Sequence, residues 1–280
     1  MRIDFIKSML FVPAHKTNFL NKLDKSISDA VVIDLEDAVP TNKKKLARKS
    51  LEKINKSKFS KNLFVRINND PKNLLPDIIS STKAKIDSYV FPKIDSSNDV
   101  KFIEKKIKKY SKLKKLNFFI LIESSKAIIN LKEICTSSKN IKGLIFGAED
   151  FLNNLNILEF YDDTNIDFPR ALIPIYANAF NLNCIDTPYL NLTSLNKFKS
   201  HLKKSKNLGY TGLLNIHPKQ CKLTNQNYSP SKENYNIAKK ILNSNKSQKY
   251  QNQNISVLKN KLVGPPLIKR AKKIVDFFNE

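Results

Sequence analysis

The chain has 280 residues, 41% of them hydrophobic and 27% charged, so it can bury a large core and is not expected to be disordered. Lysine and arginine outnumber aspartate and glutamate by 50 to 25, which gives a formal net charge of +25. Only five of the basic residues are arginines, and lysines occur along the whole chain. Nucleic-acid readers mostly use arginine for bidentate contacts, so we predict solvated basic faces and no nucleic-acid partner. The positive field would still attract anionic substrates such as CoA esters.

The three cysteines, Cys135, Cys184 and Cys221, are odd in number, far apart and not arranged in CxxC pairs. They predict neither a disulfide framework nor a zinc site, and they fit a reducing, cytoplasmic compartment. No apolar run approaches the roughly 18 residues of a membrane span, so we expect no membrane association. The N-terminal residues run directly into a predicted strand, so we expect no removable signal peptide.

Short apolar runs alternate with longer, lysine-rich amphipathic runs through most of the chain. The predicted strands are Met9–Pro13, Ala30–Leu35, Leu63–Ile67, Tyr89–Pro92, Phe118–Ile122, Gly143–Phe146, Asn183–Asp186 and Leu213–His217. Their starts are 21 to 40 residues apart, which is the period of repeated βα units. Several are apolar on both faces, as strands of a helix-covered parallel sheet are. Eight such units favour an α/β fold of the (β/α)8 TIM-barrel type over an open doubly wound sheet.

The pattern changes after the eighth predicted strand. The sequence there predicts a polar loop at Gln220–Pro230, a helix at Ser231–Asn245 with Ser231 as N-cap, a flexible connector at Lys246–Asn254, and a last helix at Leu267–Phe278. We therefore expect two domains, a catalytic barrel at 1–222 and a C-terminal extension at 223–280 that packs on a neighbouring subunit.

Charged residues follow most of the predicted strands, at the end of the barrel where catalytic side chains lie. In chain order they are Asp34, Glu36 and Asp37, then Arg66, Lys93, Glu123, the pair Glu149 and Asp150, and finally His217. Burying such groups costs free energy unless they are paired or bind a metal.

Glu123 and Asp150 are 27 residues apart, which is one βα unit. They are expected to follow adjacent strands, about 4.8 Å apart, where their charges would repel each other. A divalent cation relieves that repulsion, and a site with oxygen ligands suits Mg²⁺ or Mn²⁺. The alternative is that these carboxylates only pair with Lys93 or Arg66.

Arg66 is the one arginine at the end of a predicted strand, and its planar fork of donors suits a carboxylate or an enolate oxygen. The alternative is an ion pair with the acidic cluster Asp34–Asp37. The turn Gly147–Asp150 opens a predicted helix, whose free N–H groups can hold an anionic group. The chain contains five glycines and has neither a GxGxxG motif, a Walker A motif nor a nucleophile elbow.

Nine stretches taken together resemble a known family. In order over roughly residues 7 to 230 they read KSMLFVPAH, DAVVIDLEDAVP, LFVRIN, VFPK, LIES, GLIFGAEDF, CIDTPY, LGYTGLLNIHPKQ and YSPS. The chain resembles the citrate lyase β-subunit-like proteins of the HpcH/HpaI aldolase superfamily, which includes malyl-CoA and citramalyl-CoA lyases.

The resemblance implies a (β/α)8 barrel that binds Mg²⁺ and cleaves or forms a C–C bond next to a thioester carbonyl. It implies Glu123 and Asp150 as metal ligands, and Arg66 as a catalytic and substrate-binding residue. The acid's carboxylate would lie against the N–H groups of Ala148, Glu149 and Asp150. The residues expected around the CoA moiety are Phe11, Lys22, Ile216 and His217. A homotrimer or hexamer is also implied, with a small 2-oxo acid and an acyl thioester as the ligands.

One position departs from the family pattern. Members that act on CoA esters commonly carry an Asp in a C-terminal VD-x-P turn, which serves the neighbouring subunit as acid and base, whereas Gly264 stands at that position here. Loss of a general acid or base typically costs about 10²–10⁴-fold in rate. Three hypotheses follow: a Mg²⁺-dependent lyase for malyl-CoA- or citramalyl-CoA-type esters, a citrate lyase β subunit acting on an acyl-carrier-protein thioester, or a CoA-ester-binding homologue with weak catalysis.

Overall fold

Eight parallel strands pair in chain order, and the last pairs with the first, so the sheet closes into a barrel. The structure is a computed structural model that describes residues 6–54, 56, 59, 62–157, 166–249, 256–258 and 261–279. The strands are β1 (Ser8–Pro13), β2 (Ala30–Asp34), β3 (Asn62–Arg66), β4 (Ser88–Phe91), β5 (Asn117–Ile122), β6 (Ile141–Phe146), β7 (Asn183–Asp186) and β8 (Gly212–Asn215). The predicted TIM barrel is confirmed, and each predicted strand end lies within two residues of the observed one.

Helices follow the strands and cover the barrel. They are α1 (Thr17–Leu20), α2 (Lys44–Glu52), α3 (Leu74–Lys83), α4 (Ser97–Tyr110), α5 (Ser125–Ile129), α6 (Leu131–Thr136), α7 (Ala148–Asn154), α8 (Asp167–Ala179), α9 (Leu195–Leu208) and α10 (Pro218–Tyr228). α4 shows the local logic, because Ser96 and Asp99 form a capping box at its start while Val100, Ile103 and Ile107 form its buried face.

The barrel interior is built from every second side chain of the strands. Its apolar cluster consists of Ile6, Met9, Ala30, Val32, Phe64, Val90, Phe119, Leu121, Ile145, Ile185 and Leu214. Phe119 packs edge-on against Phe64, with ring centroids 5.0 Å apart. Gly143 leaves the space for this ring, because a Cβ at that position would lie 2.2 Å from the Cε1 atom of Phe119.

The seam between β1 and β8 is equally tight. Ser8 lies beside Leu213 in the parallel register, and the amide of Leu213 donates to the carbonyl of Lys7 at 2.9 Å. A Cβ on Gly212 would lie 2.5 Å from that same carbonyl oxygen. Closure of the ring therefore brings two backbones together at a place where a side chain on Gly212 has no room.

The chain divides into two compact units, Met1–Asn225 and Gln226–Glu280. The second contains α11 (Lys232–Lys249), β9 (Ser256–Leu258), β10 (Lys261–Val263) and α12 (Pro265–Asn279), with β9 and β10 paired antiparallel. Its buried cluster is Ala238, Ile241, Val263 and Ala271. The division falls inside α10, a few residues after the boundary expected at 222. In the part of the chain described here, no helix has the length and apolar composition needed to cross a bilayer.

Two local predictions in the C-terminal region were wrong. The segment 220–230 is not a loop, since α10 runs through Tyr228. Pro218 suits a first helical turn, where its missing N–H is not needed, and Gln220, Cys221 and Thr224 supply a buried face that is too polar to stand out in the sequence. The expected connector begins inside α11, which continues to Lys249 because adding residues to a formed helix costs little; residues 250–254 lie outside the described part.

The contact at Gly143 generates a stability prediction. Gly143→Ala is expected to lower the free energy of unfolding by about 1–3 kcal/mol, because the new methyl group would displace the Phe119 ring. Urea unfolding measures this change. Gly264→Ala is the control, since among the described residues its Cβ would meet no atom closer than Pro266 Cδ at 3.8 Å. An unchanged midpoint for Gly143→Ala, or no recovery when Phe119→Leu is added, would contradict the packing described.

Candidate active site

A cavity of about 290 Å³ opens at the C-terminal ends of the barrel strands. Its lining is Phe11, Pro13, Asp34, Ala38, Arg66, Leu121, Glu123, Gly147, Ala148, Glu149, Asp150, Thr187, Pro188, Leu214 and Ile216. Nine residues were assigned a catalytic or binding role from the sequence, and seven of them line this cavity. They are Phe11, Arg66, Glu123, Ala148, Glu149, Asp150 and Ile216.

Two predicted contact residues lie outside this lining. Lys22 is exposed and precedes a short 3₁₀ turn at Leu23–Lys25. His217 is half-buried, and its Nδ1 atom accepts a hydrogen bond from the amide of Lys219 at 3.1 Å. Their assignment to the CoA moiety stays a prediction, since neither is part of the cavity wall.

Asp34 and Arg66 form the central ion pair of the cavity. The Nε and Nη2 atoms of Arg66 donate to the two Asp34 oxygens at 2.7 and 2.6 Å, and Nη1 lies 3.0 Å from Glu36 Oε2. Burial opposes ionisation of Asp34, but the Arg66 charge and hydrogen bonds outweigh it, so the pKa of Asp34 is lowered. The ion pair considered from the sequence is thus present, and Arg66 lines the cavity as well.

The ring of Phe11 packs against this pair. The Arg66 guanidinium carbon lies 5.0 Å from the centroid of the Phe11 ring, in cation–π geometry. Phe11 therefore contributes to the orientation of Arg66, in addition to its place in the cavity wall.

Lys93 connects the acidic cluster Asp34–Asp37 to Glu123. Its amide donates to Glu123 Oε1 at 2.6 Å, and its Nζ atom lies 2.8 Å from Glu36 Oε1. Its φ of 54° is in the left-handed region, which a lysine rarely adopts and which often marks functional sites. The sequence offered Lys93 as an ion-pair partner of Glu123 and Asp150, whereas its ammonium group contacts Glu36 and its backbone amide binds Glu123. Its left-handed backbone has no sequence signal in a residue other than glycine.

Glu123 follows β5 and is 6% exposed. Burial is the main reason that its pKa rises to about 7; the Lys93 N–H group lowers the pKa, and the negative charge of Asp150 raises it. Gly147 makes room for this carboxyl group, since a Cβ there would lie 2.9 Å from Glu123 Oε2. Substituting Gly147 would therefore disturb the carboxyl group directly.

Glu149 and Asp150 belong to the first turn of α7 and so lie just beyond the end of β6. The amide of Ala148, which begins this helix, is 3.4 Å from Thr187 Oγ1. Thr187 and Pro188 line the cavity but were not selected from the sequence. Their position directly after β7 is the signal that could have identified them.

The carboxylates fit a hard divalent cation. Among the described residues, no three His, Cys, Asp or Glu side chains come together as a metal-binding group. Mg²⁺ commonly uses only one or two protein carboxylates and completes its octahedron with water and substrate oxygens. Glu123 and Asp150 border one cavity, and the Asp150 charge acts on the pKa of Glu123, so this pair suits such a site.

The fold and site define a class: a TIM barrel with a carboxylate- and arginine-lined cavity at its C-terminal face. Residues 7–218 match the family described as HpcH/HpaI aldolase/citrate lyase, and the chain belongs to this family.

Curated relatives include a citrate lyase subunit and a citramalyl-CoA lyase. The citrate lyase subunit beta of Haemophilus influenzae is 28% identical, with 96% of each chain covered. The mitochondrial citramalyl-CoA lyase of Rattus norvegicus is 25% identical, over 96% of this chain and 85% of that protein.

The fold is also shared with solved structures. The protein CitE from Mycobacterium tuberculosis, in complex with magnesium, acetoacetate and coenzyme A, matches with a TM-score of 0.84 at 20% identity, covering 99% of both chains. At this identity the match shows the fold alone.

The raised pKa of Glu123 predicts a pH-dependent cost of folding in the metal-free protein. The unfolded chain ionises this carboxyl group near pH 4.5 and the folded chain near 7, so the cost grows between these values and is constant above them. Glu123→Gln is therefore expected to raise the free energy of unfolding at pH 8 by on the order of 2–3 kcal/mol, with no gain at pH 4.

Urea titrations in the presence of a chelator, from pH 4 to 8, measure this difference. Glu133→Gln on α6 is the control, because Glu133 is exposed and the pH profile should stay that of the wild type. A gain for Glu123→Gln that does not change between pH 4 and 8 would contradict the assignment.

Proposed function

We propose that the chain is a Mg²⁺-dependent carbon–carbon lyase. Its substrate would be a malyl-CoA- or citramalyl-CoA-type thioester, cleaved to acetyl-CoA and a 2-oxo acid. The observation that carries the proposal is the single cavity that joins Glu123, Asp150 and Arg66 at the mouth of the barrel. The names of the curated relatives, lyases of citramalyl-CoA and of citrate, support it.

Glu123 and Asp150 would hold the metal. Bound there, Mg²⁺ would supply Lewis-acid polarisation of the substrate's hydroxyl and carboxylate oxygens. Glu123 would serve as a ligand in its ionised form, which a nearby cation favours against the burial that now raises its pKa. The Lys93 amide fixes the orientation of that carboxylate through its hydrogen bond to Oε1.

Arg66 would stabilise the charge that develops on the thioester. When the C–C bond breaks, its electron pair passes to the carbon next to the thioester carbonyl and forms an enolate, which then takes up a proton to give acetyl-CoA. Arg66 donates two of its five N–H groups to Asp34 and forms an ion pair with Glu36 through Nη1, so N–H groups remain that can face the enolate oxygen. Fixed donors of this kind contribute strongly because they need no reorganisation.

The hydroxyl proton of the substrate needs a base. Four carboxylates line the cavity, and among them Asp34 is paired with Arg66 while Glu123 and Asp150 are assigned to the metal. Glu149 is the lining carboxylate left for this role, and it is exposed to the cavity mouth. We propose it as the proton acceptor in the cleavage direction.

A second candidate function is that of a citrate lyase β subunit acting on a citryl-acyl-carrier-protein thioester. The full-length match to the Haemophilus influenzae subunit favours it. The C–C cleavage next to the thioester carbonyl is the same, whereas the acyl group and the carrier of the thioester differ. The third candidate, motivated by Gly264, is a homologue that binds CoA esters with weak catalysis. For each of the three candidates we propose a homo-oligomer, either a trimer or a hexamer.

The first test combines turnover with metal binding. The wild-type protein with Mg²⁺ should release glyoxylate from malyl-CoA or pyruvate from citramalyl-CoA, and a chelator should stop the reaction. Asp150→Asn should lower kcat/KM at least about 10²-fold and abolish Mg²⁺ binding in calorimetry with pyruvate present, because one of two protein ligands is lost. Asp24→Asn, at an exposed position of the barrel unit, is the control.

Each outcome of this test has a distinct meaning. Turnover only with an acyl-carrier-protein thioester would favour the second candidate, and binding without turnover would favour the third. Undiminished Mg²⁺ binding by Asp150→Asn would remove Asp150 from the metal site.

The second test concerns Gly264. The residue has no left-handed φ, and within the described ranges the atom nearest to a Cβ there is Pro266 Cδ at 3.8 Å, so Gly264→Asp should fold normally. It should raise the rate of thioester condensation or hydrolysis by up to about 10²-fold, since it restores a proton-carrying group that the family pattern places there.

Gly264→Asn is the matched control, because it fills the same space without a carboxyl group. Both side chains can cap α12, whose first N–H groups reach the Gly264 carbonyl at 3.1 and 3.2 Å, so stability should change equally. Equal rates for the Asp and Asn variants, or full condensation rates in the wild type, would show that another residue supplies the proton.

A further inference from the structure

The ammonium group of Lys44 is fully engaged next to the active site but outside the cavity. Lys44 is the first residue of α2, and its Nζ atom donates to the carbonyls of Leu35 and Glu36 at 2.8 and 2.7 Å and to Asn68 Oδ1 at 2.8 Å. An ammonium group has three donors, so these acceptors satisfy it completely. Lys44 thereby ties the loop after β2 to the loop after β3.

The loop that Lys44 holds is the one that orients Asp34. The amides of Glu36 and Ala38 donate to the two Asp34 oxygens at 2.9 and 3.1 Å, while the carbonyls of Leu35 and Glu36 accept from Lys44. Asp34 in turn accepts hydrogen bonds from Arg66 with both of its carboxylate oxygens. Lys44 is therefore connected to the Arg66 guanidinium through the backbone of Glu36 and the carboxylate of Asp34.

A buried polar network keeps Asn68 in place. Its Nδ2 atom donates to the Leu35 carbonyl at 2.8 Å and to Asp77 Oδ2 at 2.6 Å, and its amide donates to the same Asp77 oxygen at 2.8 Å. Asp77 is fully buried and accepts from Arg48 Nε at 2.7 Å. Lys44 thus donates to an Asn68 side chain that is itself held by several hydrogen bonds.

Partial burial makes it costly to keep this lysine charged. Desolvation lowers the pKa of Lys44, against the raising effect of the Asp34 and Asp77 charges, so the ammonium group has lost part of its hydration. Its acceptors are two backbone carbonyls and one amide oxygen, all in the loops after β2 and β3, so the contacts act first on the geometry of those loops.

We propose that Lys44 is a positioning residue for Arg66, acting through the backbone of residues 35–38 and the carboxylate of Asp34. The role rests on the proposed lyase function for its kinetic consequence only; the hydrogen bonds that define it do not depend on the reaction. A misplacement of about 1 Å at a reacting group can cost about 10²-fold in rate, so the loss expected for Lys44→Met is about 10- to 10²-fold in kcat, with little change in KM.

The first measurement does not use activity. The chain has five arginines, so ¹⁵N-arginine labelling gives a simple spectrum in which Arg66→Lys identifies the Arg66 Nε–H signal. Lys44→Met should accelerate solvent exchange of that proton by about tenfold or more, because the Asp34 contact opens more often. The Arg170 Nε–H group, bound to buried Asp186 at 3.1 Å, should be unaffected. Lys45→Met, at the exposed neighbouring position of α2, is the matched control.

The second measurement is a kinetic double-mutant cycle. If Lys44 acts through Arg66, Lys44→Met should lower kcat in the wild-type background and add little in the Arg66→Lys background. An unchanged Arg66 exchange rate, or additive losses in kcat, would overturn the proposal. If Lys44→Met does not fold, Lys44→Gln, which has no charge and only two side-chain donors for the three acceptors, is carried through the same two measurements and decides by the same criteria. Wild-type protein without turnover on any thioester would refute the proposed function, and the exchange rates would still decide the role of Lys44.

Discussion

Side chains of a closed parallel barrel alternate between its interior and its helical cover, and the site follows from this alternation. On β2 the inward series runs from Val32 to Asp34, and on β5 it runs from Leu121 to Glu123. The two-residue step that fills the core with apolar groups thus places charged groups at its mouth. Desolvating those groups is expensive, and much of the surrounding structure can be understood as a response to that cost.

The response combines three means. Arg66 forms an ion pair with Asp34, and Lys93 forms one with Glu36. Gly147 has no side chain, which leaves space for the Glu123 carboxyl group. The remaining imbalance is negative, inside a protein whose formal net charge is +25. Such an arrangement separates two scales of attraction: the long-range field draws in an anion, while the local field at the mouth favours a divalent cation.

The sequence predicted the positions of the strands better than it predicted the residues of the site. Strand positions were predictable because buried parallel strands are apolar runs with a regular period. The cavity-lining residues at the end of β3 and directly after β5 and β6 followed from those positions. Lys22 was assigned by resemblance alone, and neither it nor His217 is part of the cavity wall. The helix α10 was missed because its buried face is polar, so its burial depends on partners far away in sequence.

The contacts of Lys44 show the same limit at finer scale. Lys43, Lys44 and Lys45 carry the same side chain, and only the path of the loop after β2 distinguishes Lys44, whose ammonium group is bound, from its two exposed neighbours. The choice among identical residues is made by tertiary geometry. A sequence pattern that treats the run as one solvated basic face cannot contain that information.

The seam between β1 and β8 has a consequence for how the chain acquires its structure. Ser8 must wait for Leu213, about 200 residues later, before the ring can close. At a synthesis rate of about 5–20 residues per second, the free edge of β1 is exposed on the ribosome for about ten seconds or longer. During that interval its unpaired backbone and its apolar side chains are open to pairing with other chains, so the first strand is the segment that a nascent-chain chaperone would have to shield.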